Sequence, residues 1–244
     1  MAKLEAYDKA LDYSYAPGIF PATECLKNAK KRCMRLLVSS NGLQSEGVQA
    51  LERDAQEACV RVEVADRALE RISKKENCFA AMVYKKAEGR FDEDSPHIVL
   101  HHPSDSGNLG TILRTALGFG LKNIAIIRPA VDSDDPRVVR ASMGAVFRMD
   151  IPAITEAEVL AQCAEKNLML TVTALNDRAV DIRGADFRNA VAVIGSEGQG
   201  VRQSLLEAAA QSVIIPMQAH CESLNAAIAA AIVMWQMKNG EYGG

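Results

Sequence analysis

The chain has 244 residues, 48% apolar and 24% charged, with 28 Lys and Arg against 31 Asp and Glu for a formal charge of -3. That composition suits one large globular domain or two ordinary ones, and the charge balance does not advertise a nucleic-acid binder. No apolar run approaches the ~20 residues that span a bilayer, and the alternating charges of the first residues exclude a secretion signal, so a cytoplasmic protein is expected.

Apolar periodicity predicts a helix over 23–34 capped by Thr23, a strand over 35–39 and a helix over 46–58. A strand over 61–64, a helix over 65–72 and a strand over 78–85 follow. The alternation implies a small α/β sandwich. Lys27, Lys30, Lys31, Arg32 and Arg35 fall in one stretch without an acid between them, and Lys74, Lys75, Lys85 and Lys86 come later. Such clustering suits contact with RNA phosphates, and equally a solvated helix face. The six cysteines, Cys25, Cys33, Cys59, Cys78, Cys163 and Cys221, contain no C-x-x-C pair. This argues against a zinc ribbon or redox motif and for reduced, mostly buried thiols.

Charge, Gly and Pro break the apolar pattern over 88–96, so the chain divides into a domain over 1–90, a linker over 91–96 and a domain over 97–244. The second domain opens with a strand over 98–101 and a helix over 108–119. Short branched runs at 123–127, 168–173, 191–194 and 213–215 alternate with helical patterns, the signature of a mostly parallel sheet, and an Ala-rich helix over 223–238 closes the chain.

Three segments place polar residues, Gly or Pro beside apolar runs, where strands end and α/β proteins bind ligands. They are Asn108-Leu-Gly-Thr-Ile-Leu-Arg114, Ile194-Gly-Ser-Glu-Gly-Gln-Gly-Val201 and Ile215-Pro-Met-Gln-Ala-His-Cys-Glu-Ser-Leu-Asn225. A hydrolase elbow would need Gly where Ile194 stands, and neither G-x-G-x-x-G nor a P-loop is present. His97, His101 and His102 suggest a metal, but no matching carboxylate or cysteine cluster follows, so none is expected. Cys221 beside His220 would make a thiol nucleophile only if adjacent turn residues pointed together.

The order and residue types of the three segments resemble the SpoU (TrmH) branch of the SPOUT RNA methyltransferases, over about residues 97–239. A fourth stretch, Arg140-Ala-Ser-Met-Gly-Ala-Val-Phe-Arg148, is similar to the family's segment between the first two motifs. Gly18-Ile-Phe-Pro-Ala-Thr-Glu-Cys-Leu and Ser73-Lys-Lys-Glu-Asn-Cys resemble the L30e-like RNA-binding domain that often precedes this catalytic domain. The resemblance implies an α/β fold: a small L30e-like α/β/α domain, then a SPOUT parallel-sheet domain with a deep trefoil knot. It also implies a homodimer built on the first-motif and carboxy-terminal helices, which can bring residues of both subunits near one site.

The implied activity is transfer of a methyl group from S-adenosylmethionine to a ribose 2'-hydroxyl of RNA, with guanosine in ribosomal RNA as the target and transfer RNA as the alternative to it. Family roles carried onto this sequence make Asn108, Arg114, Glu197, Ser223 and Asn225 catalytic. They make Thr173, Ala174, Leu175, Gly195, Ser196, Gly200, Ile215, Met217, Ser223 and Leu224 cofactor-binding. Lys27, Lys30, Lys31, Arg32, Arg35 and Arg140 are the RNA-binding candidates. A guanidinium stays protonated and offers no acceptor, so Arg114 suits a phosphate clamp or charge stabiliser better than a base. Glu197 can orient an arginine, while Ser223 and Asn225 bring short hydrogen-bonding groups to the site. Singly, Asn108 and Ser223 also read as helix caps and Glu197 as a surface charge. After Asn225 the chain reads Ala-Ala-Ile-Ala where the family more often has Val-Ser-Val, a difference of packing. The rival reading is a non-catalytic RNA-binding or ribosome assembly factor that retains the fold.

Overall fold

The computed structural model describes residues 4–73, 78–89, 97–196, 198, 200–218 and 223–239. The expected linker at 91–96, Lys74, Lys75, Glu197, His220 and Cys221 lie outside the described residues. In chain order the elements begin β1 (Tyr13–Pro17), α1 (Ile19–Asn28), β2 (Cys33–Val38), α2 (Glu46–Glu57), β3 (Arg61–Val64), α3 (Asp66–Ile72) and β4 (Ala80–Lys85). They continue β5 (Ile98–His101), α4 (Ser106–Gly118), β6 (Ile124–Ile127), α5 (Pro136–Ala141), β7 (Ala153–Ile154), α6 (Glu156–Glu165) and β8 (Met169–Thr173). The last are β9 (Val180–Asp181), β10 (Ala190–Ile194), α7 (Gln203–Ala208), β11 (Gln211–Ile214) and α8 (Ala226–Lys238).

Two compact units form, one from Met1–Ala87 with Asp132–Arg148 and the other from Glu88–Val131 with Met149–Gly244. The stretch around Arg140, expected from its sequence position to belong to the second domain, therefore groups with the first. In the first unit the sheet runs β1-β4-β2-β3, with β4 antiparallel to β1 and β2, and β3 parallel to β2. Residues 132–148 add no strand to this sheet; they attach by apolar packing, with the Phe147 ring edge-on to Tyr84 at 4.9 Å, and by polar groups. The Tyr7 hydroxyl donates to Asp132 at 2.7 Å, Lys86 pairs with Asp132 at 3.1 Å, and the Tyr84 hydroxyl donates to Asp134 at 2.9 Å. Burial raises the Asp134 carboxyl above its ordinary range. Burial acts the same way on Asp132, but the Tyr7 hydroxyl, the Asp134 amide and Lys86 outweigh it and leave that carboxyl low.

Local structure departs from the sequence reading at two places in this unit. The first helix starts at Ile19, not Thr23, because proline is tolerated in a first turn, and Thr23 instead donates back to the Ile19 carbonyl at 2.9 Å. The helix stops at Asn28, and a 3-10 turn, Lys30–Arg32, leads into β2. Strand β1 was not anticipated: Tyr-Ser-Tyr-Ala-Pro carries no branched aliphatic residue, yet it pairs with β4 from Tyr13 opposite Lys85 to Pro17 opposite Ala81. As an edge strand it accommodates the proline.

The second unit holds a seven-stranded sheet in the order β7-β6-β5-β10-β8-β11-β9, and every pairing is parallel. Strands β5, β6 and β10 are buried along their whole length, as apolar runs covered on both faces must be. Val99, Ala125, Leu170, Val172, Val191, Val193 and Leu205 join in one core, which fixes the strand ends from which the polar loops leave. The five described cysteines are free; Cys25, Cys78 and Cys163 are buried, whereas Cys59 is exposed. No helix among the described residues is long and apolar enough to cross a membrane.

Candidate active site

The loops at the carboxyl ends of β8, β10 and β11, with the start of α8, enclose a cavity of about 330 Å³. Thr173, Ala174 and Leu175 come from the first loop, Gly195, Ser196 and Gly200 from the second, and Ile215 and Met217 from the third. Ser223 and Leu224 approach α8. All ten cofactor candidates therefore meet at one place, although they span 52 positions of sequence. Sequence reasoning missed Asn176, Val201, Leu206, Ala226 and Ala229 in the same lining. Ala226 and Ala229 stand three apart, a helical spacing that could have revealed them.

No ionisable side chain lines this cavity among the described residues. A polar ligand there meets backbone groups, Ser and Asn side chains and apolar walls. The Thr173 hydroxyl already donates to the Val193 carbonyl at 3.3 Å. The middle loop is pinched by paired backbone bonds, Ser196 N–H to Gly200 O at 3.3 Å and Gly200 N–H to Ser196 O at 3.0 Å. Gly200 takes φ +64°, and a Cβ on Gly195 would lie 2.5 Å from the Gly200 carbonyl carbon. Gly195 is required by this close backbone approach, and Gly200 is favoured by its left-handed backbone.

A smaller hollow adjoins the first, sharing Ile194, Gly195, Ser196 and Ala226 and adding His101, Asp105 and Asn108. Asp105, not Asn108, caps α4, accepting from the Asn108 amide at 2.7 Å. That leaves the Asn108 side chain oxygen to accept from Asn225 at 2.9 Å. Asn225 caps α8, accepting from the amides of Ala227 and Ile228, so the helix begins after Ser223 and Ser223 is not its cap. Two of the catalytic candidates thus touch, and Ser223 stands in the adjoining cavity. Arg114 is exposed and lines neither space. Six positions on a helix are ~9 Å and about a third of a turn away from Asn108, so the two cannot share a face.

His101 flanks the pinched loop, its Nδ1 3.2 Å from the Gly200 carbonyl and its Nε2 3.5 Å from Glu156. Burial first, and then His102, hold the His101 imidazole below its ordinary range against the pull of Glu156. The Ser204 hydroxyl does most to keep Glu156 low; burial opposes it, while His101 and Arg202 reinforce it.

The six RNA candidates all lie in the first unit and divide by what they touch. Lys27, Lys30 and Lys31 are exposed. Arg32 donates to the Lys85 carbonyl, pairs with Asp134 at 3.4 Å and lies over the Tyr84 ring. Arg35 pairs with Glu63 at 3.5 Å, and Arg140 donates to Ser73 at 3.1 Å. The arginines hold the unit together, and the three lysines are left to solvent.

A parallel sheet with its cavity beyond the carboxyl ends of its strands places the protein in the class of α/β folds that take ligands at that edge. The sequence profile of the SpoU rRNA Methylase family matches residues 95–235, more than half the chain, and the protein belongs to that family. An uncharacterised tRNA/rRNA methyltransferase of Synechocystis is 30% identical over 146 residues, covering 59% of this chain and 53% of the relative. The chain spans about half to three fifths of the length of the curated relatives it matches. An AdoMet-bound rRNA methyltransferase from Sinorhizobium meliloti superposes with a TM-score of 0.79 at 22% identity, over 94% of this chain and 88% of that one. A crystal structure of an RNA 2'-O ribose methyltransferase matches with a TM-score of 0.75 at 26% identity, over 94% and 89%. The fold is thus of the expected class, a SPOUT-type parallel-sheet domain together with a small α/β unit.

Proposed function

We propose that the protein transfers a methyl group from S-adenosylmethionine to a ribose 2'-hydroxyl of RNA, with guanosine in ribosomal RNA as its target. The observation that carries this reading is the convergence of the second and third motifs and the loop after β8 on one cavity, with Asn108 of the first motif in the adjoining hollow and in contact with Asn225. Family membership and the AdoMet-bound relative of the same fold support it. The volume and apolar walls suit a nucleoside-sized ligand, and the close approach of Gly195 to Gly200 lets backbone groups face it. When bound, S-adenosylmethionine supplies an electrophilic methyl on a sulfonium.

The chain's own residues then have to bind, orient and manage one proton. Backbone and side chains of Gly195, Ser196, Gly200, Ile215, Met217 and Leu224, with 173–175, hold the cofactor. Asn108 and Asn225 fix each other and present amide groups to the ribose. Ser223 and Glu197 belong to the same reaction site by family role. Arg114, exposed on α4, acts as a clamp or charge stabiliser for RNA phosphate rather than as the base. A homodimer supplies the missing proximity: α4 packs on α8, Phe119 and Trp235 meet at 5.9 Å, and Ile228 and Trp235 stay half exposed on α8. A second copy seated there would bring Arg114 of one subunit toward the other's cavity.

The test is incubation of the purified protein with labelled S-adenosylmethionine and unmodified RNA, followed by nucleoside mass spectrometry of separated ribosomal and transfer RNA. A 2'-O-methylguanosine in ribosomal RNA is expected. Cofactor binding without transfer to any RNA would favour the assembly-factor reading. RNA recognition is assigned to the first unit through its exposed lysines. Reversing Lys27, Lys30 and Lys31 to Glu should weaken RNA binding by about 10-fold or more at low salt and flatten its salt dependence. Equal binding by that variant in a filter assay would move the RNA surface elsewhere.

A further inference from the structure

We propose a binding site for a divalent transition-metal ion of the zinc class, formed by His101, His102 and Glu156 in the second unit. The sequence offered His97, His101 and His102 without a carboxylate; the fold brings Glu156, the first residue of α6, to His101 and His102 at the end of β5. Neighbouring strand residues normally point to opposite faces. His102 has φ +51°, a left-handed backbone uncommon for a residue with a side chain, and its ring lies over that of His101 with centroids 4.0 Å apart and planes at 22°.

Both rings are buried, His101 to 1% and His102 to 9% exposure, and neither Nε2 has a hydrogen-bond partner among the described residues. The Gly200 carbonyl only accepts, so His101 must carry its proton on Nδ1, 3.2 Å away. In the neutral ring Nε2 is then a bare lone pair, facing the Glu156 carboxylate at 3.5 Å. Two acceptors so placed call for a cation between them. A proton on His101 would meet that need but leave the His102 Nε2 buried and unsatisfied, which is costly. A metal ion satisfies both rings and the carboxylate together. An imidazole whose second nitrogen donates to a backbone carbonyl is the arrangement that orients metal-bound histidines.

One ligand atom from each residue lies within 4.8 Å of the others. Zinc–nitrogen and zinc–oxygen bonds of ~2.0–2.2 Å need a separation nearer the 3.5 Å that His101 and Glu156 already have, so His102 closes by about 1 Å on binding. Arg202 shares Glu156 at 3.1 Å, but its side chain is 60% exposed and free to swing to solvent. Two histidines and one glutamate would leave a fourth coordination position for water. The ion would hold His101 and, through it, the Gly200 carbonyl.

The full-length protein, stripped with a chelator and dialysed, would be titrated with Co²⁺ while its visible spectrum is followed. One equivalent per chain is expected, with the d–d bands of a four- or five-coordinate centre, displaced by one equivalent of Zn²⁺. His102→Asn, which tolerates the left-handed backbone, and Glu156→Gln should each lower affinity by about 100-fold or more. Absence of stoichiometric uptake by the unmodified protein overturns the site, as does equal uptake by His102→Asn. An imidazolium at His101 in ¹⁵N NMR at neutral pH, with no metal taken up, would replace the site by a proton-bridged ion pair. None of these readouts depends on methyl transfer.

Discussion

Gly195→Ala is expected to abolish tight S-adenosylmethionine binding while the protein stays folded. A methyl group at this position would lie 2.5 Å from the Gly200 carbonyl carbon and 2.8 Å from its Cα, and both are backbone atoms that no rotamer change can move. Relief requires the strand end and the returning loop to part, breaking the two Ser196–Gly200 backbone bonds that shape the cavity wall. Overpacking of this kind costs about 1–3 kcal/mol, and each lost bond about 1 kcal/mol. The strain falls on a loop and not on the buried strands, so it should appear as affinity: a loss of about 100-fold, or about 2.7 kcal/mol, by calorimetry. Gly198→Ala is the matched control. A Cβ there meets nothing within 4 Å among the described residues, and binding should stay near the unmodified level. Equal affinity for both variants would detach the pinched loop from the cofactor.

Arg114→Ala should behave in the opposite way, keeping cofactor affinity and losing transfer. Its side chain is exposed and absent from both hollows, so its removal leaves the cavity intact. If it stabilises charge in the reaction or clamps a phosphate, its loss should lower single-turnover methyl transfer by about 10²–10³-fold. Arg114→Lys keeps the charge but not the planar fork, and should recover only a small part. Undiminished transfer by the alanine variant would remove Arg114 from the mechanism. Loss of transfer together with loss of cofactor binding would show instead that it supports the fold of α4.

Much of the second unit was legible because its signals are local. Branched apolar runs placed β5 without error and β10 and β8 within a residue; the second and third motifs sit where such runs end, and the first lies in the helix that follows β5. The cofactor candidates were chosen by motif and resemblance, and they converge because each loop leaves the same edge of one parallel sheet. Boundaries set by capping were less legible. Asp105 took the cap read at Asn108, and Asn225 took the one read at Ser223, because which side chain bends back to the amides depends on the chain's entry angle. Strand β1 escaped because its place comes from pairing with β4 and not from its own residues.

By itself, then, the sequence determined the α/β class, the parallel sheet of the second unit, the two motif loops that line the cavity and, through resemblance, the family. Periodicity and motif chemistry are properties of neighbours along the chain, and these features need nothing more. Tertiary structure alone decided that 132–148 joins the first unit, that Arg32, Arg35 and Arg140 are tied up internally while three lysines face solvent, and that Glu156 meets His101 and His102. Each depends on side chains far apart in sequence, 102 positions for Arg32 and Asp134, brought together by the packing of whole elements, and no local pattern encodes which charge finds which partner.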